Sequence, residues 1–175
     1  IYCDNRKTLS YPEIRTNIKQ GLAAIVKTHY KGVNAIAGVA TAGIPHGTLV
    51  AEELGLPFIY VRAKVKEHGK QNQIEGYFDV GQSVVLVEDL ISSGKSSLEA
   101  AKTLKDAGMN VKGVISIFTY GFDTAKDNFK NAGHEYIALC DYETLLHQAM
   151  ESKYIQKKEL SILKEWRKAP EIWKK

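Results

Sequence analysis

Residues 83–97 read SVVLVEDLISSGKSS. Ser83 to Val87 is a run of apolar, mostly β-branched side chains, which reads as a buried strand. Two adjacent carboxylates, Glu88 and Asp89, end it. Leu90, Ile91, Ser92, Ser93, Gly94 and Lys95 follow, and a helix is predicted at once, from Ser96 to Ala107. A strand without in/out alternation, running through a short Ser/Gly turn into a helix, is the repeating step of a parallel sheet covered by helices on both faces.

The same step recurs on either side. Ser10, Pro12 and Glu13 read as a helix start, with Ser10 as the cap, and Ile14, Ile18, Leu22, Ile25 and Val26 carry the helical period to about Tyr30. Residues 34–40 read as a strand, 45–54 as a helix stopped by Gly55, and 58–61 as a second strand. Residues 64–76 are polar, Lys-rich and without period, which predicts a long loop. Downstream come a strand over 111–118, a helix over 125–132, a strand over 136–139, and helices over 142–152 and 158–168. The expected fold class is α/β: an open, mostly parallel sheet flanked by helices, with residues 142–175 as a C-terminal helical extension. In such sheets ligands bind beyond the carboxyl ends of the strands. Here those ends are Ala40 to Gly43, Arg62, Glu88-Asp89 and Thr119 to Gly121.

At 175 residues the chain is one expected domain, 1–175, and 44% apolar residues are enough to fill a core. No run approaches about 18 apolar residues, so no membrane span is predicted. Cys3 and Cys140 cannot make a disulfide scaffold or a four-ligand zinc site, and the default is a reducing cytoplasm. Residues 153–175 hold eight Lys/Arg against three Glu, while the rest of the chain holds 16 basic and 17 acidic side chains. The net +4 is therefore a basic C-terminal tail, which as a rule is a solvated helix face, and no nucleic-acid partner is expected. The chain begins Ile1-Tyr2-Cys3-Asp4, and an N-terminal segment before Ile1 is expected to be missing.

Each part of 83–97 has a chemical use. Ser92, Ser93, Gly94 and the first helical residues offer N–H groups and hydroxyls at a helix N-terminus, an anion site suited to phosphate. Gly94 lets the backbone approach the phosphate or take positive φ. Glu88 and Asp89 suit hydroxyl donors such as a ribose diol, or Mg²⁺. A Walker A reading of Gly94-Lys95-Ser96 fails, because its first glycine would have to be Asp89. A lone Glu-Asp pair commonly just faces water. Arriving together with the serines and the glycine, this pair describes a 5-phosphoribosyl site.

The segment VVLVEDLISSGKS resembles the ribose-phosphate motif of type I phosphoribosyltransferases. Arg62-Ala63-Lys64-Val65-Lys66-Glu67-His68-Gly69 resembles the mobile catalytic loop of the orotate phosphoribosyltransferase family, which carries Arg, Lys and His at this spacing. Gly38-Val39-Ala40-Thr41-Ala42-Gly43-Ile44-Pro45 resembles that family's pyrophosphate loop, and Tyr2-Cys3-Asp4-Asn5-Arg6 its N-terminal substrate segment. With the C-terminal helices, the resemblance covers essentially the whole chain.

The resemblance implies transfer of the 5-phosphoribosyl group of 5-phosphoribosyl 1-diphosphate (PRPP) to orotate, giving orotidine 5′-phosphate and pyrophosphate in pyrimidine synthesis. It implies Lys66, His68 and Asp89 as catalytic residues. For PRPP it implies Thr41, Ala42, Gly43, Arg62, Lys66, His68, and the run Glu88, Asp89, Leu90, Ile91, Ser92, Ser93, Gly94, Lys95 and Ser96. For orotate it implies Ser92, Tyr120 and Tyr2. It implies Mg²⁺ held mainly by PRPP and not by side chains, and a cytoplasmic homodimer in which loop 64–76, hinged at Gly69 and Gly76, reaches the partner's site. Here Ala63 and Ala42 stand where many members carry a basic residue, Tyr120 where many carry Arg, and Glu88 where Asp is usual. Lys95 is expected to replace some of that charge at the phosphate or the base. The competing readings are a type I phosphoribosyltransferase for a purine or other base, and a non-catalytic PRPP- or nucleotide-sensing regulator of the same fold.

Of the remaining residues, Cys140 is expected as a small core residue, and Trp166 and Trp173 as anchors of the terminal helices. His46 is the scattered histidine closest to the expected crevice.

Overall fold

The computed structural model describes residues 1–63 and 73–173. Its strands are β1 (Ala35–Val39), β2 (Phe58–Val61), β3 (Ile74–Glu75), β4 (Ser83–Ile91), β5 (Asn110–Thr119) and β6 (Tyr136–Asp141). Its helices are α1 (Pro12–His29), α2 (Gly43–Leu54), α3 (Lys95–Asp106), α4 (Asp123–Asn131), α5 (Tyr142–Glu151) and α6 (Lys157–Lys168), with 3₁₀ turns at Asn5–Ser10 and Pro170–Ile172. One sheet runs in the order β3-β2-β1-β4-β5-β6. Every pairing is parallel except that of β3 with β2.

The strand pleat sorts side chains to two faces. Ala37, Val39, Val84 and Leu86 lie with Ala100 and Leu104 of α3 and Phe129 of α4. Ile36, Val85, Val87 and Ile115 lie with Leu22 and Val26 of α1 and Val50 of α2. Most of these side chains are fully buried, and each contributes about 1.5–3 kcal/mol relative to exposure. This is the helix-covered parallel sheet expected from the sequence. A third cluster (Phe118, Tyr120, Tyr142, Leu146 and Trp166) sits at the carboxyl end of β5, where α5 and α6 pack.

Four expectations change. The central strand does not end at the carboxylates: β4 continues to Ile91, because β5 is long enough to pair with it, Leu90 against Phe118 and Ile91 against Thr119. The region read as a loop over 64–76 ends in a short strand, where Ile74 and Glu75 pair with Val61 and Tyr60. Two residues are too few to show a period in sequence. Ser10 does not cap α1; it closes a 3₁₀ turn, and the helix starts at Pro12 after Tyr11 with no side-chain cap. Proline suits that first helical position, because its fixed φ is helical and its missing N–H would have had no partner within the helix. Trp166 is buried in the third cluster, but Trp173 is 40% exposed and anchors little.

Candidate active site

Two helices start at the carboxyl ends of neighbouring strands: α2 after β1, and α3 after β4. Both N-termini lack a side-chain cap, and neither has an acidic residue in its first turn. The other four helices each place one there: Glu13, Asp123, Glu143 and Glu159. An acidic side chain stabilises a helix N-terminus by meeting its unsatisfied N–H groups and positive dipole end. Leaving two adjacent termini without one makes two neighbouring sites for an anion.

The turn into α3 is built by close packing. Gly94 has φ +77° and is the N-cap of α3. A Cβ on it would lie 2.4 Å from the Phe129 ring, so α4 sits directly under the turn. Asn128 of the same helix donates from Nδ2 to the Ser93 carbonyl at 3.0 Å. The turn into α2 is equally tight. A Cβ on Gly43 would meet the Val87 carbonyl oxygen at 2.3 Å, and one on Gly38 the Gly43 carbonyl at 2.9 Å. These glycines bring the start of α2 against β4, just before Glu88. The Ala40–Thr41 peptide between β1 and α2 is cis.

Between the two helix starts lie the carboxylates, both buried, Glu88 at 6% and Asp89 at 8% exposure. Glu88 Oε2 accepts from Ser96 Oγ at 3.2 Å and Ser97 Oγ at 3.4 Å, and Oε1 accepts the Asp89 N–H at 3.1 Å. Burial first, and the neighbouring Asp89 carboxyl second, push the Glu88 carboxyl well above its ordinary range. The Asp89 carbonyl accepts from Asn5 Nδ2 at 2.8 Å, which ties the N-terminal segment to the site.

The structure thus brings together Thr41, Ala42, Gly43, Glu88, Asp89, Ser92, Ser93, Gly94 and Ser96 at one end of the sheet. Ile91 is a buried strand residue, and Leu90 packs against the third cluster. Arg62 follows β2 two strands away from β4, with Nη1 3.6 Å from Glu75 Oε1. Lys95 points outward, 78% exposed and 4.0 Å from Glu99. Glu88, expected to grip a ribose hydroxyl, already has its carboxyl engaged by the first turn of α3. Tyr120, expected at the base, is 4% exposed. Its hydroxyl accepts the Cys3 N–H at 3.0 Å and donates to the Ile1 carbonyl at 3.2 Å. Tyr2 is 65% exposed. Lys66 and His68 lie outside the described residues.

Sequence reasoning placed Asn5 only within a resembling N-terminal segment, with no role of its own, and missed Asn128, Phe129 and Arg167. Nothing in their local pattern marks them, since each meets the site only through the fold. His46 is enclosed at 1% exposure, and neither ring nitrogen has a hydrogen-bond partner among the described residues. Burial lowers its pKa, partly offset by the charge of Asp89. Burial thus disfavours its charged form and closes it off from solvent.

Comparison with known proteins agrees with this geometry. The family described as Phosphoribosyl transferase domain matches residues 9–132. The orotate phosphoribosyltransferase of Cytophaga hutchinsonii is 53% identical over 175 residues, covering 100% of this chain and 84% of that protein. That of Bacillus subtilis is 50% identical over 171 residues, covering 98% and 79%. The crystal structure of orotate phosphoribosyltransferase from Aeropyrum pernix superposes with a TM-score of 0.76 at 26% identity, covering 84% of this chain and 82% of that one.

Proposed function

The chain belongs to the orotate phosphoribosyltransferase family, and we propose that it moves the 5-phosphoribosyl group of PRPP onto a ring nitrogen of orotate, forming orotidine 5′-phosphate and pyrophosphate for pyrimidine synthesis. One observation carries this reading. Two helix N-termini without acidic residues flank a buried Asp-Glu pair. PRPP has that pattern: phosphate at one end, diphosphate at the other, a diol between.

The α3 turn, Ser92 to Ser96, takes the 5′-phosphate. The α2 turn, Thr41 to Gly43, takes the diphosphate through backbone N–H groups, which suits the absence of a lysine at Ala42. Asp89 accepts from the ribose hydroxyls. Glu88, held by Ser96 and Ser97, fixes the start of α3 beside the sugar. As the C1–oxygen bond to pyrophosphate breaks, the sugar becomes oxocarbenium-like and Asp89 stabilises that charge. The leaving diphosphate gains charge toward the α2 dipole, Arg62, and Lys66 and His68 of the loop. Orotate's ring nitrogen is acidic and needs little base assistance. Among the described residues no group of three or more His, Cys, Asp or Glu is placed to hold a metal ion. On this reading Mg²⁺ is an ion carried by PRPP, and Glu88 and Asp89 are oxygen donors of the kind it accepts. When bound there, Mg²⁺ would spread the charge of the departing diphosphate.

The reading extends to one domain over residues 1–175, and to a cytoplasmic homodimer in which loop 64–76 serves the partner's site. No helix among the described residues is long and apolar enough to cross a membrane. The test is PRPP-dependent loss of orotate with pyrophosphate release in Mg²⁺, beside adenine, hypoxanthine and uracil. Orotate should be the base consumed. Consumption of a purine instead would move the chain to the competing enzyme class, and PRPP binding without turnover would favour the regulator.

A further inference from the structure

The C-terminal helix α6 reaches the crevice through one side chain. Where β5 stops, the carbonyls of Tyr120 and Gly121 face the end of the sheet. Arg167 takes both: Nε donates to the Tyr120 carbonyl at 3.0 Å and Nη2 to the Gly121 carbonyl at 3.1 Å. Nη1 donates to Glu143 Oε1 of α5 at 3.1 Å. The fit is close, since a Cβ on Gly121 would stand 3.1 Å from Nη2. The neighbouring Trp166 seats α6 in the aromatic cluster, 5.5 Å from the Tyr120 ring and 6.0 Å from that of Phe122.

This clamp lies on the crevice and not behind it. Arg167, Tyr120, Gly121 and Lys126 line one cavity with Ser92, the first residue of the phosphate turn, and with Tyr2. With phosphate on the α3 turn and ribose at Asp89, the acceptor base projects into this cavity. Of the four Lys/Arg side chains that line it, Lys126, Lys164, Arg167 and Lys168, Arg167 pairs with Glu143 and Lys126 with Asp123 at 3.0 Å. Glu143 is 76% exposed, so its hold on Arg167 is weakened by solvent.

We infer that Arg167 is a positioning and specificity residue for the acceptor base: it fixes the Tyr120–Gly121 wall on which the base rests and sets a positive charge where an acidic base binds. The inference rests on the proposed transfer to orotate. A planar guanidinium holds two carbonyls at fixed spacing, which an ammonium cannot do. The hydrogen bonds of Arg167 go to Tyr120, Gly121 and Glu143 and not to the phosphate turn, so PRPP binding should depend on it little.

The full chain is assayed as wild type, Arg167→Met, Arg167→Lys and Glu143→Gln. Readouts are the orotate KM, kcat, PRPP affinity measured directly without turnover, and the melting midpoint. Arg167→Met should raise the orotate KM about tenfold with PRPP affinity within twofold of wild type, and Arg167→Lys should recover part of the loss. Glu143→Gln, which frees the guanidinium without disturbing packing, should lower the orotate KM a few-fold. An unchanged orotate KM in both Arg167→Met and Glu143→Gln would overturn the inference. So would equal losses for orotate and PRPP, which a purely structural stitch would give. If Arg167→Met does not fold, Glu143→Gln decides by the same criterion. Wild-type turnover separates the two levels: orotate consumption upholds the transfer reading whatever the variants do, and its absence removes that reading and this inference together.

Discussion

On one side of the crevice, residues 83–97 supply carboxylates, turn and helix start in a single run, anchored from below by Asn128 and Phe129. On the other side, the proposed base wall is assembled from three distant stretches: the Ile1–Asn5 segment, Tyr120 to Phe122, and Arg167. The first side is made of backbone held by glycines. The second is made of aromatic rings and side-chain hydrogen bonds to exposed carbonyls. On the proposed function, the part of the ligand that phosphoribosyl transfers share, sugar and phosphates, meets the rigid contiguous side. On the same reading, the part that distinguishes one such enzyme from another, the base, meets the composite side. Substitutions on the first side should therefore strike all turnover, and those on the second mainly the base.

The largest effect is expected from Asp89→Asn, which removes the charge facing the developing oxocarbenium. Turnover should fall by about 100-fold or more while the fold survives, as followed by steady-state kinetics and circular dichroism. An active Asp89→Asn would remove the distinction between the two sides. Next, Gly94→Ala places a Cβ against Phe129 at a φ of +77°. It should raise the PRPP KM about tenfold and lower stability by about 1–2 kcal/mol, with orotate affinity little changed. Tyr120→Phe keeps the ring in its cluster but loses the hydroxyl's bonds to Cys3 and Ile1. The orotate KM should rise a few-fold, at a stability loss of about 1 kcal/mol. A matching loss of PRPP affinity would show that the two sides are mechanically one.

The smallest effect concerns pH. Burial, and then the Asp89 carboxyl, raise the Glu88 carboxyl from 4.5 to about 8 in the folded chain. The folded state therefore holds that proton more tightly than the unfolded one. This contribution to stability is full below about pH 4.5 and is lost as pH rises through about 8. Glu88→Gln should flatten that slope in the ligand-free protein, as read by denaturant midpoints across the range. An unaltered slope would assign the dependence to another group.

The sequence alone determined the helix-covered parallel sheet, because period and apolar runs are local properties that burial on two faces imposes. It also marked the turn between β4 and α3, because Glu88, Asp89, Ser92, Ser93 and Gly94 lie within one strand–turn–helix step. Tertiary structure decided where β4 ends, since only the length of β5 sets how far pairing continues. It decided that Glu88 turns to Ser96 and Ser97, and that Tyr120 is enclosed by rings and held by the N-terminal segment. It also decided that Arg167, 46 residues beyond Gly121 in the chain, takes the Tyr120 and Gly121 carbonyls. Such contacts join residues whose neighbours in sequence carry no sign of them, since a side chain's partner across the fold is chosen by packing and not by spacing.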